Sequence, residues 1–215
     1  VDTDELLKRY AYPERTPWLR ANMIATLDGG IQYKGDTGAL GYPGDHALMT
    51  GLRSLADLVV MGAATVREYD SWPDGAPPLA IVSRSLDLDF DGGLFDDGRT
   101  IVITAERAPA DRLEHARERA DVLVTGDAST DIGAALDELA RRGHRRFLCE
   151  GGPRLLAQVA AAGWLHELCL TLSPMIIAGG ASRILNGPDL DVPQRMRLIH
   201  AVPDGDYLFT RYTIE

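Results

Sequence analysis

The feature that most constrains this chain is a series of short, largely apolar segments separated by stretches with helical spacing. Residues 58–61, 79–82, 101–103, 122–124 and 146–149 are apolar or nearly so over three to four positions. Such runs suit strands buried on both faces, since a strand with one wet face would alternate. Between them, Ala47, Leu48, Leu52 and Leu55 repeat at helical spacing from Gly44 onward, and residues 108–119 read as a helix. Ile132, Ala135, Leu136 and Leu139 then form an i, i+3, i+4, i+7 stripe, and residues 153–162 make a further helix with Pro153 in its first turn. Parallel neighbours need crossover connections, so the pattern predicts an α/β fold with a mostly parallel central sheet flanked by helices.

The two ends differ from this pattern. Residues 1–17 carry Tyr10, Tyr12, Pro13 and Pro17 among charges without a clean period, and are read as an N-terminal arm before one domain spanning 18–215. Residues 18–27 read as a strand that closes on Asp28-Gly29-Gly30. After residue 168 the helical stripes stop. Residues 168–173, 195–201 and 207–214 read as strands, the last two joined by the turn-forming Pro203-Asp204-Gly205-Asp206, so antiparallel strands are expected to finish the sheet.

Composition excludes several partners. With 32 acidic against 22 basic residues the net charge is −10, which opposes binding to nucleic acid and to anionic membranes. The apolar stretches 168–172 and 175–178 fall well short of the ~20 residues that a membrane-spanning helix needs. Cys149 and Cys169 sit inside apolar runs and are expected as reduced, buried thiols, which points to the cytoplasm. Lys8 and Lys34 are the only lysines, so a phosphate must be gripped by arginine, hydroxyls or backbone amides.

No G-x-G-x-x-G or Walker-type loop is present, and the five histidines and two cysteines show no metal-ligand spacing, so no metal site is expected. The strongest chemical signal is Glu150-Gly151-Gly152-Pro153-Arg154 after the 146–149 strand. A strand running into two glycines and a helix start aims free N–H groups at an anion. The same spacing also serves as a plain strand–helix turn. Gly62-Ala63-Ala64-Thr65-Val66 forms a second junction of this kind, and two such cradles suit a dinucleotide diphosphate. Ligands in open α/β sheets bind beyond the carboxyl ends of strands, where both junctions and Asp28-Gly29 fall.

Five segments occur in order: Ala25-Thr26-Leu27-Asp28-Gly29, Leu52-Arg53 leading to Ala56-Asp57, Gly62 to Val66, Glu150 to Pro153, and Glu167-Leu168 followed by Ser173-Pro174. Together they resemble the reductase domain of the bifunctional riboflavin-biosynthesis deaminase–reductase, which shares the dihydrofolate reductase fold. The deaminase half would need a His-x-Glu and Pro-Cys-x-x-Cys zinc signature, which is missing here.

The resemblance implies an NADPH-dependent reductase of 5-amino-6-(5-phosphoribosylamino)uracil, active as a homodimer. It implies cofactor contacts at Ala25, Gly62, Thr65, Gly151, Gly152, Arg154 and Leu155, with a cis Gly151–Gly152 peptide at the diphosphate. Ser83 and Arg84 follow the 79–82 strand and suit the 2′-phosphate of NADPH. Asn22, Thr37, Asp45, Arg53 and Glu150 are the implied substrate residues, and Asp28, Asp45 and Glu150 the catalytic candidates. The pairing surface is expected at Leu168, Leu170, Leu172, Met175, Ile176 and Ile177, which lack a covering helix.

Three features depart from the family pattern. Asn22 stands where a lysine is usual, the stretch Glu68-Tyr69-Asp70-Ser71-Trp72-Pro73-Asp74 is acidic where basic residues would hold a ribose phosphate, and Asp45 is uncommon in the riboflavin enzymes. Arg53 or Arg67 is expected to make good the phosphate contact. Dihydrofolate reductases pair a carboxylate near the place of Asp45 with the 2-amino and N3 positions of a pterin, so dihydropterin reduction is the alternative. A plain first-turn helix carboxylate is the simpler account of Asp45. A catalytically silent NADPH-binding module is the third reading.

Overall fold

A computed structural model of the chain describes residues 2–215. The strands are β1 (Trp18–Thr26), β2 (Leu58–Gly62), β3 (Leu79–Val82), β4 (Ile101–Thr104), β5 (Asp121–Val124), β6 (Arg146–Cys149), β7 (Glu167–Ser173), β8 (Met196–Asp204) and β9 (Tyr207–Ile214). They form one sheet in the order β5-β4-β3-β2-β6-β1-β7-β9-β8. The seven from β5 to β7 run parallel, and β9 and β8 close the sheet antiparallel. β6 lies between β2 and β1, so the chain leaves β1 in one direction and returns to its other side at β7. That crossing is the switch point where a ligand cleft forms.

The helices are α1 (Thr3–Lys8), α2 (Pro43–Leu55), α3 (Ala63–Val66), α4 (Ala110–Arg119), α5 (Ile132–Arg141) and α6 (Pro153–Ala161). On one face of the sheet, Leu48 and Leu52 of α2 join Val59, Met61, Ile81, Val102, Leu148, Cys169 and Phe209. On the other, Ala135, Leu136 and Leu139 of α5 and Leu156 and Val159 of α6 join Leu58, Val60, Ala80, Ile103 and Phe147. Helices on both faces explain why the parallel strands read as unbroken apolar runs. Among the described residues no helix is long and apolar enough to cross a membrane.

Two sequence-based expectations change. The segment before Trp18 is part of the packed body: Asp2 caps α1 by accepting from the Asp4 and Glu5 amides, and Leu6 and Tyr10 lie in the core. A six-residue helix has no room for a periodic stripe, so its packing was invisible in the sequence. The C-terminal hairpin is also tighter than expected, with Pro203 and Asp204 paired in β8 and only Gly205-Asp206 forming the turn.

A buried ionic cluster ties this end of the sheet together. Arg20 of β1, fully buried, donates from Nε to Glu167 Oε1 of β7 at 2.5 Å. Arg211 of β9 grips the same carboxylate at 2.9 and 3.0 Å, and Trp18 Nε1 donates to it at 3.0 Å. The two guanidiniums also donate to the carbonyls of Arg9, Tyr10 and Ala11, which fastens the N-terminal segment to the sheet. Burial alone would raise the Glu167 carboxyl, but Arg20 and Arg211 hold it below the ordinary carboxylate range.

Glu167→Gln would leave two buried guanidiniums without a counter-ion, and a loss of about 3–5 kcal/mol is expected in chemical denaturation. Because the folded-state pKa is depressed, this stabilisation is present above the unfolded value of ~4.3 and is lost as pH falls through the folded one. The variant should therefore show a weaker loss of stability on acidification than the parent.

Candidate active site

The carboxyl ends of β2, β6, β1 and β7 lie side by side at one end of the parallel sheet. β6 leads through Glu150 into Gly151, whose φ of +78° favours glycine, and then into Gly152 and α6, which opens with Pro153. The Gly151–Gly152 peptide is cis, as the resemblance implied. The Gly62 amide donates to the Gly151 carbonyl at 2.8 Å, and the Glu150 amide to the Val60 carbonyl at 3.1 Å. A Cβ on Gly152 would lie 3.1 Å from Thr65 Oγ1, and one on Gly62 would lie 3.4 Å from the Gly152 nitrogen. The two junctions expected as separate cradles thus abut as one, with α3 a single turn that brings Thr65 against Gly152.

Around this cradle the other implied cofactor residues separate into groups. Ala25 is buried at the end of β1, and Arg154 is exposed on the first turn of α6. Leu155 is buried in the core behind the cradle, so its side chain packs rather than faces solvent. Ser83 caps β3 with its amide on the Ile103 carbonyl, and Arg84 beside it is exposed. The Ser83 hydroxyl and that of Thr104, at the end of the adjacent strand, are buried without a partner among the described residues.

The opposite face of the same strand ends is polar. Glu150 lies one residue beyond the Ala21–Cys149 pair, which places it beside Asn22. Both Glu150 oxygens accept from Arg53 of α2, at 2.7 and 2.6 Å, and Arg53 also donates to Tyr69 Oη at 2.8 Å. The Arg53 guanidinium stacks 4.5 Å from the Trp72 ring. Burial pushes the Glu150 carboxyl up against the pull of Arg53, and Glu150 in turn outweighs the burial of Arg53 and raises its pKa. The bidentate geometry keeps the pair ionic.

Two rungs further along β1 and β7, Thr171 Oγ1 donates to Asp45 Oδ1 at 2.7 Å. Asp45 stands in the first turn of α2, half-buried, and burial raises its pKa over the opposing effects of Thr171 and His46. The Ser173 hydroxyl, level with Thr26, is buried without a partner among the described residues. Thr37 sits just before the 3₁₀ turn Gly38–Leu40, whose Leu40 amide donates to its carbonyl.

Some sequence-predicted roles are not what the geometry supports. Asp28 accepts from Thr26 Oγ1 at 2.5 Å and from the Ile177 and Ala178 amides at 3.2 and 2.7 Å, so it pins the exit of β1 to that of β7. These bonds, Thr26 foremost, hold its carboxyl below the ordinary range, which suits a positioning residue and not a proton donor. Arg53 is engaged by Glu150, and Arg67 by the Asp87 carboxylate at 2.8 Å, so neither expected phosphate ligand is unpaired. Thr171 and Tyr69 were missed. Thr171 is embedded in an apolar strand, and only the packing of α2 over β7 brings it to Asp45.

The RibD C-terminal domain family model matches residues 17–209. The chain belongs to that family. It is 27% identical to the 2,5-diamino-6-ribosylamino-4(3H)-pyrimidinone 5′-phosphate reductase of Methanothermobacter thermautotrophicus, over 93% of this chain and 99% of the relative. A pyrimidine reductase-like protein of Corynebacterium diphtheriae superposes with a TM-score of 0.86 at 26% identity, covering 100% of this chain and 99% of the other. The riboflavin biosynthesis reductase Rib7 of Saccharomyces cerevisiae shares the fold, with a TM-score of 0.74 at 16% identity and full coverage of both chains (100% each). Dihydrofolate reductase of Enterococcus faecalis shares it more distantly, with a TM-score of 0.58 at 13% identity over 93% of this chain and 97% of that one. For this RibD-type domain the expected dihydrofolate reductase-like α/β fold is the one observed.

Arg53→Met should test the ion pair at the heart of the site. Removing the cation leaves Glu150 buried and unpaired, at an expected cost of about 3–5 kcal/mol near neutral pH. Protonation then relieves the carboxylate, so the gap between variant and parent should narrow as pH falls toward 5 in denaturant titrations followed at each pH.

Proposed function

We propose that this chain is a riboflavin-route reductase that uses NADPH to reduce a ribosylaminopyrimidine 5′-phosphate. The observation that carries the reading is the grouping at the β6–β1 strand ends: the glycine junctions with Thr65 on one side, and Asn22, Asp45 and Glu150 on the other. The Gly151-Gly152 segment at the start of α6 carries no side chains, which suits close approach of a diphosphate to its backbone. The unpartnered Ser83 hydroxyl and exposed Arg84 suit the 2′-phosphate of NADPH. The likeness to the named pyrimidinone phosphate reductase supports the substrate class.

When bound, the reduced nicotinamide supplies the hydride. Hydride at C1′ and a proton from water turn the cyclic ribosylamine into an open ribitylamine. The chain's own work is orientation: Ala25 lines the cofactor end of β1, Asp28 fixes the two loops at the mouth, and the Glu150–Arg53 pair holds the turn that enters the cradle. The uracil named above and its 2-amino precursor both fit this class. A dihydropterin is the second reading, favoured by Asp45 with its Thr171 partner. Its mark would be turnover of dihydrofolate that depends on Asp45.

We further propose a cytoplasmic homodimer that pairs through the β7-β9-β8 end. Leu168 is buried within the chain and drops out of the expected surface. What remains is half-buried Leu170, Leu172, Met175 and Ile177 and exposed Ile176, to which the structure adds exposed Leu198 on β8, with no helix after α6 to cover them.

Incubation with NADPH should quench tryptophan fluorescence, and NADPH should be consumed in the presence of the ribosylaminopyrimidine phosphate. Absence of binding at millimolar cofactor would overturn the reading, and binding without turnover of any pyrimidine or pterin would favour a silent module. Arg84→Glu should raise KM for NADPH by about tenfold or more with little change for NADH, from loss of a charged hydrogen bond of ~1.5–3 kcal/mol. Sedimentation should show a dimer at micromolar concentration that Leu198→Asp weakens; a monomeric parent would contradict the pairing.

A further inference from the structure

α2 opens without a cap of its own. A helix start is commonly held by a side chain that accepts from the first free amides, but the residue before α2 is Tyr42, whose side chain makes no such bond, and Pro43 and Gly44 follow. The start of α2 is held from outside instead, by the tip of the β8–β9 hairpin. Asp204 and Tyr207, the pair that flanks the two-residue turn, both grip it. Tyr42 Oη donates to Asp204 Oδ2 at 2.5 Å, and its ring lies 3.9 Å from that of Tyr207 with 23° between the planes. Tyr207 Oη in turn donates to the Leu40 carbonyl at 3.2 Å. The fit leaves no slack, since a Cβ on Gly44 would lie 2.6 Å from Tyr42 Cζ and Oη and 2.7 Å from Asp204 Oδ2. Phe209, opposite Thr171 in the ladder, continues the stack at 6.2 Å from Tyr42.

A helix start anchored from another element sits where that element puts it. The hairpin tip belongs to β8 and β9, and β9 pairs directly with β7, so the clasp ties the first turn of α2 to the strand it crosses. The glycine junction at Gly62 closes β2, which β6, β1 and β7 separate from the clasp. We propose that Tyr42 is a positioning residue for the pyrimidine: clamped by Tyr207 and Asp204, it sets the distance of the first turn of α2 from β7, and so the width of the substrate side, without acting on the cofactor side. Tyr42 reaches the substrate only through the helix whose start it holds. This inference rests on the reading above that the substrate lies on the side of Asn22, Asp45 and Glu150.

Two measurements on Tyr42→Phe, which keeps the ring and loses the bond to Asp204, test this role. Amide hydrogen exchange should quicken at residues 46–49, the first hydrogen-bonded turn of α2, and stay unchanged in α6. In the same variant kcat/KM should fall about tenfold, the scale of one charge-assisted hydrogen bond, for whichever of 5-amino-6-(5-phosphoribosylamino)uracil and its 2-amino precursor the parent turns over faster. The dissociation constant for NADPH, read from tryptophan quenching, should not move. Tyr207→Leu, which removes the stack, should lower kcat/KM in the same way, and Tyr207→Phe, which keeps the ring, should recover most of the parent value. That second pair covers a Tyr42 variant that folds poorly. Unchanged exchange at the start of α2, an unchanged kcat/KM, or a loss shared equally between substrate and cofactor overturns the positioning role and leaves the proposed function standing. A parent that binds NADPH and reduces neither ring overturns the proposed function itself, and the role of Tyr42 with it.

Discussion

The register of β1 on β7 is the constraint on which the cleft depends, and the Arg20–Glu167–Arg211 cluster is what makes that register costly to change. Arg20 and Glu167 are direct partners in the parallel ladder, both fully buried, and Arg211 closes on the same carboxylate from β9. A slip of one residue would send every side chain of β1 to the opposite face. Asn22 would then leave the polar side of the cleft, and the buried guanidinium of Arg20 would lose its counter-ion. Desolvation of such a cluster brings little net stability compared with an apolar core of the same shape. Here its contribution is to specify which strands pair and in which alignment, and to fasten the N-terminal segment to the same point.

From that anchored end the strands run to a cleft with two chemically distinct sides. The side formed by Gly62, Thr65, Gly151 and Gly152 is nearly bare of side chains, which is what the proposed diphosphate site needs for close approach to backbone. The other side is lined by carboxylates that the fold handles in three ways. Glu150 is neutralised by Arg53, Asp28 is saturated by a hydroxyl and two backbone amides, and Asp45 is held by one hydroxyl with acceptor capacity left over. The same functional group thus acts as an ion-pair partner, a loop fastener and a partly open acceptor, and its neighbours decide which.

Much of this fold was legible in the chain. The strands at 58–61, 79–82 and 146–149 stood out because burial on both faces removes the polar positions that blur a strand, and helices on both sides of the sheet impose that burial. The Gly151-Gly152-Pro153 junction was legible as a strand-to-helix turn, because the two glycines permit an abrupt change of direction and the proline a helix start. α1 was not, since Leu6 and Tyr10 become apolar partners only when α2 and the sheet are in place. The pairing of Arg53 with Glu150 and of Arg67 with Asp87 was illegible for a related reason: a free arginine and a paired one look alike in a sequence.

The sequence by itself determined the class of fold, the order of its elements and the location of the cradle, because these follow from local patterns of apolar spacing and backbone permissiveness. Tertiary structure decided the electrostatics. Glu150 lies 97 positions from Arg53 along the chain, Asp45 lies 126 from Thr171, and Arg20 lies 147 from Glu167. Whether a carboxylate is paired, pinned or open depends on which atoms stand within ~3 Å of it. No local pattern carries that information; it exists once β6 has inserted between β2 and β1 and α2 has packed across β7.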